Sequence, residues 1–309
     1  MQTQTFPAGV SPRVTITGCQ GALMVEFWDQ RDFAVESAVG SAIGQEDAAL
    51  VIHEARGDLR LRVPAATEIA IENHQGDVRI TTIDGSVRLR DIDGSVFVSG
   101  AGMLAIERDQ LLRRRSPQRP RRDVEAREIG AAEIAEVHGT LLLVAAERAT
   151  IGDVGGNAKV RSIAGDLALG EIGGSCEIAQ VGGALELGSV GGNCLLENIS
   201  GSVRARHIGG SADLRATGAI LGLGSIGGNL TLTDAPLGQE ALATPTASIA
   251  IGGSARIELP TQAALTIDAI VGGGISGRGV LGGPGMRTIV YGDGAARLRL
   301  TVGGHLTLV

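Results

Sequence analysis

The chain has 309 residues, of which only 2% are aromatic, and a formal net charge of −7. An ordinary globular α/β enzyme usually fills its core with larger side chains, so this composition argues against that class. The negative charge argues against a chain-wide nucleic-acid surface, and the three cysteines have neither metal-site nor disulfide-framework spacing.

Residues 1–12 are predicted to form a leader without regular structure, and they lack the basic region and apolar core of a signal peptide. From residue 13 apolar residues alternate, as in Val14 and Ile16, which predicts strands with one buried face. Phe27 and Trp28 are predicted to belong to an N-terminal cap over exposed strand edges; a partner-binding patch is the alternative. We assign residues 13–107 to this cap and a first β-solenoid module.

A nine-residue repeat is visible inside this first module. It gives three predicted corners at His74-Gln75-Gly76, Ile83-Asp84-Gly85 and Ile92-Asp93-Gly94. Asp-Gly pairs favour tight turns, and these aspartates lack the regular spacing of a calcium-binding nonapeptide repeat. The repeat therefore predicts structure rather than a metal site.

Residues 108–128 interrupt the repeat and are rich in arginine. The basic residues of interest are Arg113, Arg114, Arg115, Arg119, Arg121 and Arg122. The segment is predicted to be a solvated loop, and the alternative is an arm that binds an anionic partner. No aromatic residues are interleaved with the arginines, so nothing supports the stacking of nucleic-acid bases.

Residues 129–309 are predicted to form a second, enlarged β-solenoid module, which contains the most regular part of the chain. There a β-branched residue followed by two small residues returns every nine positions. The instances are Val154-Gly155-Gly156, Ile163-Ala164-Gly165, Ile172-Gly173-Gly174, Val181-Gly182-Gly183, Val190-Gly191-Gly192, Ile199-Ser200-Gly201, Ile208-Gly209-Gly210 and Ile226-Gly227-Gly228. Between them apolar and polar residues alternate, as in Leu185-Glu186-Leu187, which predicts a strand between corners.

A second period of eighteen residues lies beneath the first. Gly170 and Gly188 hold a position that Arg161 and Ala179 hold in the alternate repeats. We therefore predict an all-β, right-handed parallel β-solenoid, or β-helix, with about 18 residues per coil, two strands in each coil and Gly-Gly corners. Cys176 and Cys194 would then stack on each other, as small core residues or as a disulfide.

A long-range echo links the two modules. Residues 57–76 align without gaps to residues 253–272, at a constant offset of 196. The chain then closes on a strand, Leu306-Thr307-Leu308-Val309, with no polar cap after it. An uncovered last strand presents unpaired backbone groups, so Leu306, Leu308 and Val309 are predicted to be a self-association site.

Three stretches carry a resemblance to a known family: PRVTITGCQGALMVEFW at 12–28, LRLRVPAATEIAIENHQGDVRITTIDGSVRL at 59–89, and RLRLTVGGHLTL at 297–308. They resemble a bacterial family of β-solenoid domains named putative adhesins. The resemblance implies a β-solenoid and no established chemistry. A weaker similarity, of coil length and aliphatic composition, is to bactofilins, cytoplasmic β-helical proteins that polymerise end to end.

The sequence contains no motif for catalysis or for a cofactor. Its five histidines are dispersed, and no nucleophile is followed by a recognisable base. We predict a non-enzymatic, cytoplasmic structural scaffold without a membrane span, whose partner is itself in a homo-oligomer or filament. The alternatives are an adhesin-like module that binds another protein through the Arg-rich loop or the Phe27–Trp28 region, and a carbohydrate-active β-helix enzyme.

Overall fold

The computed structural model describes residues 2–37, 42–46, 49–81, 83–107, 123–234, 247–259, 265–277, 279–292, 294 and 296–309. All regular structure in these ranges is β-strand, as the sequence predicted. The chain divides into two compact units, residues 1–153 and 154–309, which are called unit 1 and unit 2.

The strands of unit 1 are short except for the last two. In chain order they are β1 (Gln2–Pro7), β2 (Arg13–Thr17), β3 (Leu23–Phe27), β4 (Asp32–Ser37), β5 (Ala42–Glu46), β6 (Ala49–His53), β7 (Leu59–Val63), β8 (Glu68–Gln75), β9 (Val78–Thr81), β10 (Ser86–Asp93), β11 (Val96–Ser99), β12 (Met103–Glu107), β13 (Val124–Val137) and β14 (Leu141–Val154).

The strands of unit 2 follow the nine-residue repeat as far as residue 233. They are β15 (Ala158–Ile163), β16 (Leu167–Leu169), β17 (Cys176–Val181), β18 (Leu185–Val190), β19 (Cys194–Ile199), β20 (Val203–Ile208), β21 (Ala212–Thr217), β22 (Ile220–Ile226), β23 (Leu230–Thr233), β24 (Ala247–Ile251), β25 (Ala255–Ile257), β26 (Leu265–Val271), β27 (Ile275–Gly277), β28 (Val280–Gly282), β29 (Gly285–Tyr291), β30 (Ala296–Val302) and β31 (Leu306–Leu308).

Strands of the repeat pair in parallel with the strand two further along the chain. Cys176 pairs with Cys194 and Leu185 with Val203, so partners lie 18 residues apart in both ladders. Alternate side chains point inward: Leu185 and Leu187 are buried, and Glu186 between them is exposed. This mostly parallel, all-β arrangement is consistent with the predicted β-helix or solenoid.

Close stacking, and not an unusual backbone conformation, explains the Gly-Gly corners. No glycine in the fully described stretch 154–228 has a positive φ. A Cβ added at Gly209 would lie 2.5 Å from the carbonyl oxygen of Gly191, and one at Gly192 would lie 2.6 Å from Oγ of Ser175. Glycine is therefore needed in this stretch for the close approach of stacked backbones and not for freedom of φ.

Along one corner, at the Gly-Gly pairs 155–156, 173–174, 191–192, 209–210 and 227–228, the residue after the pair belongs to a polar ladder. The amides of Ser175, Asn193, Ser211 and Asn229 each donate to the side-chain oxygen of the Asn or Ser 18 residues earlier, over 2.8–3.2 Å. These bonds satisfy backbone groups that the corner leaves outside the strand ladders. Sequence periodicity showed the glycines, but it did not reveal this ladder.

The alternate corner is built differently. There the residue before the β-branched position has a left-handed backbone, at Ser162, Gln180, Asn198 and Ala216, with φ between 47° and 60°. Asparagine tolerates this conformation and the others are strained in it, so each is held by the packing of the strands around it.

In each unit one pair of strands is inserted out of chain order. In unit 1, β2 lies between β6 and β8, and β3 lies between β7 and β9, all parallel. In unit 2, β30 lies between β24 and β26, and β31 between β25 and β27. The long-range echo, 57–76 and 253–272, belongs to the coils on either side of these inserted pairs. In unit 1 the connection from Val63 to Glu68 passes over the inserted strand.

Residues 2–7, predicted to be part of a leader, form β1, which pairs antiparallel with β4 and sets Phe6 opposite Phe33. The second module was predicted to begin at residue 129, and the division between the two compact units falls between residues 153 and 154. β13, which starts at Val124, continues the ladders of both β11 and β12.

Candidate interaction surfaces

The last strand of the chain is not an open edge. Leu306 and Leu308 are fully buried, and β31 has β25 on one side and β27 on the other. The side chain of Val309 is partly exposed, but its amide donates to the carbonyl of Ile257 over 3.0 Å and its carbonyl accepts from Leu259 over 2.8 Å. The self-association site predicted at these residues therefore lacks the unpaired backbone on which that prediction depended.

The open edge of unit 2 is β29. Among the described strands its one neighbour is β26, which it meets antiparallel, so one side of β29 is unpaired. Met286 lies opposite Ile270, and Val290 lies opposite Thr266. Alternate residues of an edge strand direct their amides and carbonyls outward, where another strand can bind them.

Exposed apolar side chains are concentrated at this edge. Ile270 is 49% exposed, Leu281 91%, Met286 70% and Val290 58%. Ile270, Met286 and Val290, called here the end surface, are three of the eight large exposed hydrophobic residues in the described part of the chain, whereas Leu281 lies on β28, which pairs with β27. A concentration of this kind is typical of a protein contact, whereas single exposed apolar residues need no explanation.

Polar groups on the end surface are largely paired. Asp268 accepts from Oγ1 of Thr288 over 2.8 Å and forms an ion pair with Arg297 at 3.2 Å. The guanidinium of Arg287 donates to the carbonyl of Met286 at 3.1 Å. The apolar residues can thus be covered without leaving an unpartnered carboxylate at the side of β26.

The N-terminal aromatic residues differ in exposure. Phe33 is completely buried, and the indole N–H of Trp28 donates to the carbonyl of Asp32 at 2.6 Å. Phe27 is 42% exposed. The six arginines of the predicted anion-binding arm, Arg113 to Arg122, lie outside the described residues.

The outward carboxylates of the repeat are matched by basic groups. Lys159 and Arg161 both bind Glu177, and these hydrogen bonds lower the pKa of that carboxyl. Arg215 bridges Glu197 at 3.2 Å and Asp213 at 2.5 Å. The Glu177 carboxyl is a poor general acid, because its charged form is stabilised.

The two cysteines of the repeat stack on each other in the core. Cys176 and Cys194 are Cα partners, buried and free. A hydrogen bond with Cys194 and burial raise the pKa of Cys176 well above its usual value, so the thiol stays protonated.

No group of three or more potential metal ligands occurs among the described residues. Over the same ranges, no helix is long and apolar enough to span a membrane.

Comparison with known proteins adds little to this description. No protein-family model and no curated protein matches the chain. One solved structure, of "a putative cell adhesion protein" from Clostridium sporogenes ATCC 15579, aligns over 99% of this chain and 98% of its own, with 8% identity and a TM-score of 0.19. At that TM-score the likeness carries no argument about fold or function.

Sequence reasoning missed the end surface because its strands lie in and beside a Gly-rich segment. Residues 272–285 are rich in glycine and show no clear strand pattern in the sequence, yet β27 and β28 form a short antiparallel pair there and lead into β29. One usable indication was present: Met286, Thr288 and Val290 alternate with polar or buried neighbours, as an edge strand requires.

Proposed function

We propose that this protein is a non-enzymatic scaffold, a right-handed β-solenoid of about 18 residues per coil, that self-associates through its end surface. The observation that carries the proposal is that β29, a seven-residue strand paired with β26, has no described strand on its other side and lies with three exposed apolar side chains, Ile270, Met286 and Val290. Strand addition at such an edge supplies backbone hydrogen bonds, and the apolar side chains supply burial.

The occupant we propose is the same strand of a second copy, running antiparallel. Two copies of β29 that pair about Thr288 place Met286 opposite the partner's Val290 and the two threonines opposite each other. This is a self-complementary pattern, as a two-fold interface requires. Aliphatic and Thr–Thr cross-strand pairs each contribute roughly 0.2–1 kcal/mol. Because β29 is antiparallel to its neighbour β26, it ends the parallel ladder, and a two-fold pair fits it better than continued parallel stacking.

A charge on the edge strand tests this function. Val290→Lys is expected to shift the protein from dimer to monomer, because lysine on an edge strand opposes strand addition. The matched control is Val10→Lys, since Val10 is fully exposed and lies in unit 1. Sedimentation velocity over a concentration series measures both variants beside the unmodified protein.

The proposal requires a concentration-dependent dimer for the unmodified protein and for Val10→Lys, and a weaker dimer for Val290→Lys. A chain that stays monomeric at every concentration would overturn it and would leave the end surface to a different protein, as in a partner-binding module. Equal association of all three proteins would place the interface away from β29.

A further inference from the structure

The inserted strand pair of unit 1 meets an unusual side chain at its corner. Gln20 forms isolated parallel bridges with Arg56 and with Gln75, so the preceding residue, Cys19, lies between Ala55 and His74 in one inward column. The next strand continues this column, because Ile92 pairs with His74. A histidine thus occupies a position that is otherwise aliphatic or small.

His74 is buried without a hydrogen bond of normal geometry. It is 2% exposed, and its ring nitrogens have only poorly aligned contacts with the backbone of Gly21 and Asp77. The other four histidines are exposed or half-buried. Buried polar groups are nearly always well hydrogen-bonded, so an imidazole with only such contacts is a feature that packing alone does not explain.

The surroundings favour the neutral ring. Burial lowers the pKa of His74, which outweighs the opposing effects of the backbone of Gly21 and Asp77 and of the Asp77 charge. From β2–β3 the titratable neighbour is Cys19, whose thiol pKa is itself raised by burial and which carries no charge to offset an imidazolium. Asp77 is exposed in the turn after β8, as are Arg56 and Asp93 at the corners of the neighbouring coils. Asp91, before Ile92, is half-buried.

Backbone hydrogen bonds close to His74 in the sequence hold β8 to the segment that links β2 and β3. Gln75 donates its amide to the carbonyl of Cys19 over 2.8 Å, and Gly21 donates to the carbonyl of Gln75 over 2.9 Å. Gly18 donates to the carbonyl of Glu72 over 3.1 Å. A protonated ring needs hydration. Because the column around His74 is closed, water can reach the ring only if these strands separate.

We propose that His74 is an acid-sensitive latch that holds the inserted strands β2 and β3 in place when neutral and releases them when protonated. Release uncovers the facing edges of β6–β7 and β8–β9, which are then open to another strand. The latch lies in unit 1 and is independent of the end surface of unit 2.

The direction of the pH effect follows from linkage. A histidine with a folded-state pKa below its ordinary value of about 6.5 takes up its proton more readily in the opened state. Closure is therefore fully favoured above about pH 6.5 and weakens as the pH falls from there towards the folded-state pKa. Within that window the opening constant of β2–β3 rises by up to about tenfold per pH unit.

Hydrogen exchange tests the latch on the full chain. Protection of the amides of residues 13–27, corrected for the intrinsic pH dependence of exchange, is expected to fall between about pH 7.5 and about pH 5. Strands β17 and β19 of the repeat, which contain no histidine, are an internal control and keep their protection. His74→Val and His74→Gln, neither of which can be protonated, are expected to abolish the loss, and His207→Ala, at an exposed histidine, is expected to retain it.

Two results would overturn the latch. One is a loss of protection in His74→Val and His74→Gln equal to that of the unmodified protein. The other is unchanged protection of residues 13–27 in the unmodified protein over the whole pH range. Using both variants guards against a failure of one to fold, and circular dichroism at the higher pH identifies such a failure.

Discussion

Truncation of Leu196 to alanine is expected to lower the free energy of unfolding by about 2–5 kcal/mol. Leu196 is completely buried in β19, between Ile178 of β17 and Leu214 of β21. The cavity left by alanine cannot be filled from either side, because the backbones of both neighbouring strands are fixed by parallel hydrogen bonds. The loss therefore includes a cavity term as well as the transfer free energy of the removed atoms.

The control for this variant is the preceding residue of the same strand. Leu195 points outward and is half-buried, so Leu195→Ala removes the same atoms at a much smaller cost. Chemical denaturation followed by circular dichroism measures both. A Leu195→Ala variant that is destabilised as much as Leu196→Ala would contradict the inward and outward assignment of β19.

Gly209→Ala is expected to destabilise the protein by about 1–3 kcal/mol, although alanine is the smallest possible addition. Its Cβ would lie 2.5 Å from the carbonyl oxygen of Gly191, a backbone atom that cannot rotate away. The corner must then open, which stretches the bond from the Gly209 amide to the carbonyl of Val190, now 2.7 Å long.

The comparison for this corner is Gly222→Ala, in β22 of the same unit. A Cβ at Gly222 meets nothing within 4 Å, and its φ is not in the positive range. Alanine there is expected to be neutral or to stabilise by about 0.4–1 kcal/mol, because it restricts the unfolded chain. Thermal unfolding of the two variants distinguishes the cost of blocking a close backbone approach from the effect of replacing any glycine by alanine. Equal melting temperatures would show that the corner glycines are not required by stacking.

Local pattern was sufficient to predict the strands of the repeat. Alternation around Leu185 and Leu187 and the return of Gly-Gly pairs depend on neighbours within one coil, and such information is present in a short stretch of sequence. The eighteen-residue spacing between paired residues is also visible in the sequence, because Gly170 and Gly188 mark one type of strand and Arg161 and Ala179 the other.

The order of the terminal strands could not be predicted in the same way. The pattern of β30 and β31 is that of any buried strand, and nothing local states that they lie between β24–β25 and β26–β27. For that reason Leu306, Leu308 and Val309 were assigned to an open edge that in fact lies at β29. The choice of β29 depends on long-range pairing, which a single sequence does not display.

The two kinds of corner set a rule for how this array can change in length. Asn193 lies in the Asn and Ser ladder between Ser175 and Ser211, and Asn198 lies between Gln180 and Ala216 in the column of left-handed corners. Removing nine residues would set one type of corner on the other, with a carboxamide or hydroxyl facing the wrong backbone. Removing eighteen keeps each type of corner stacked on its own type, with an Asn or Ser oxygen still available to the next backbone amide of the ladder. We therefore expect duplications and deletions in the array to be tolerated only in multiples of eighteen residues, although the sequence repeat is nine residues long.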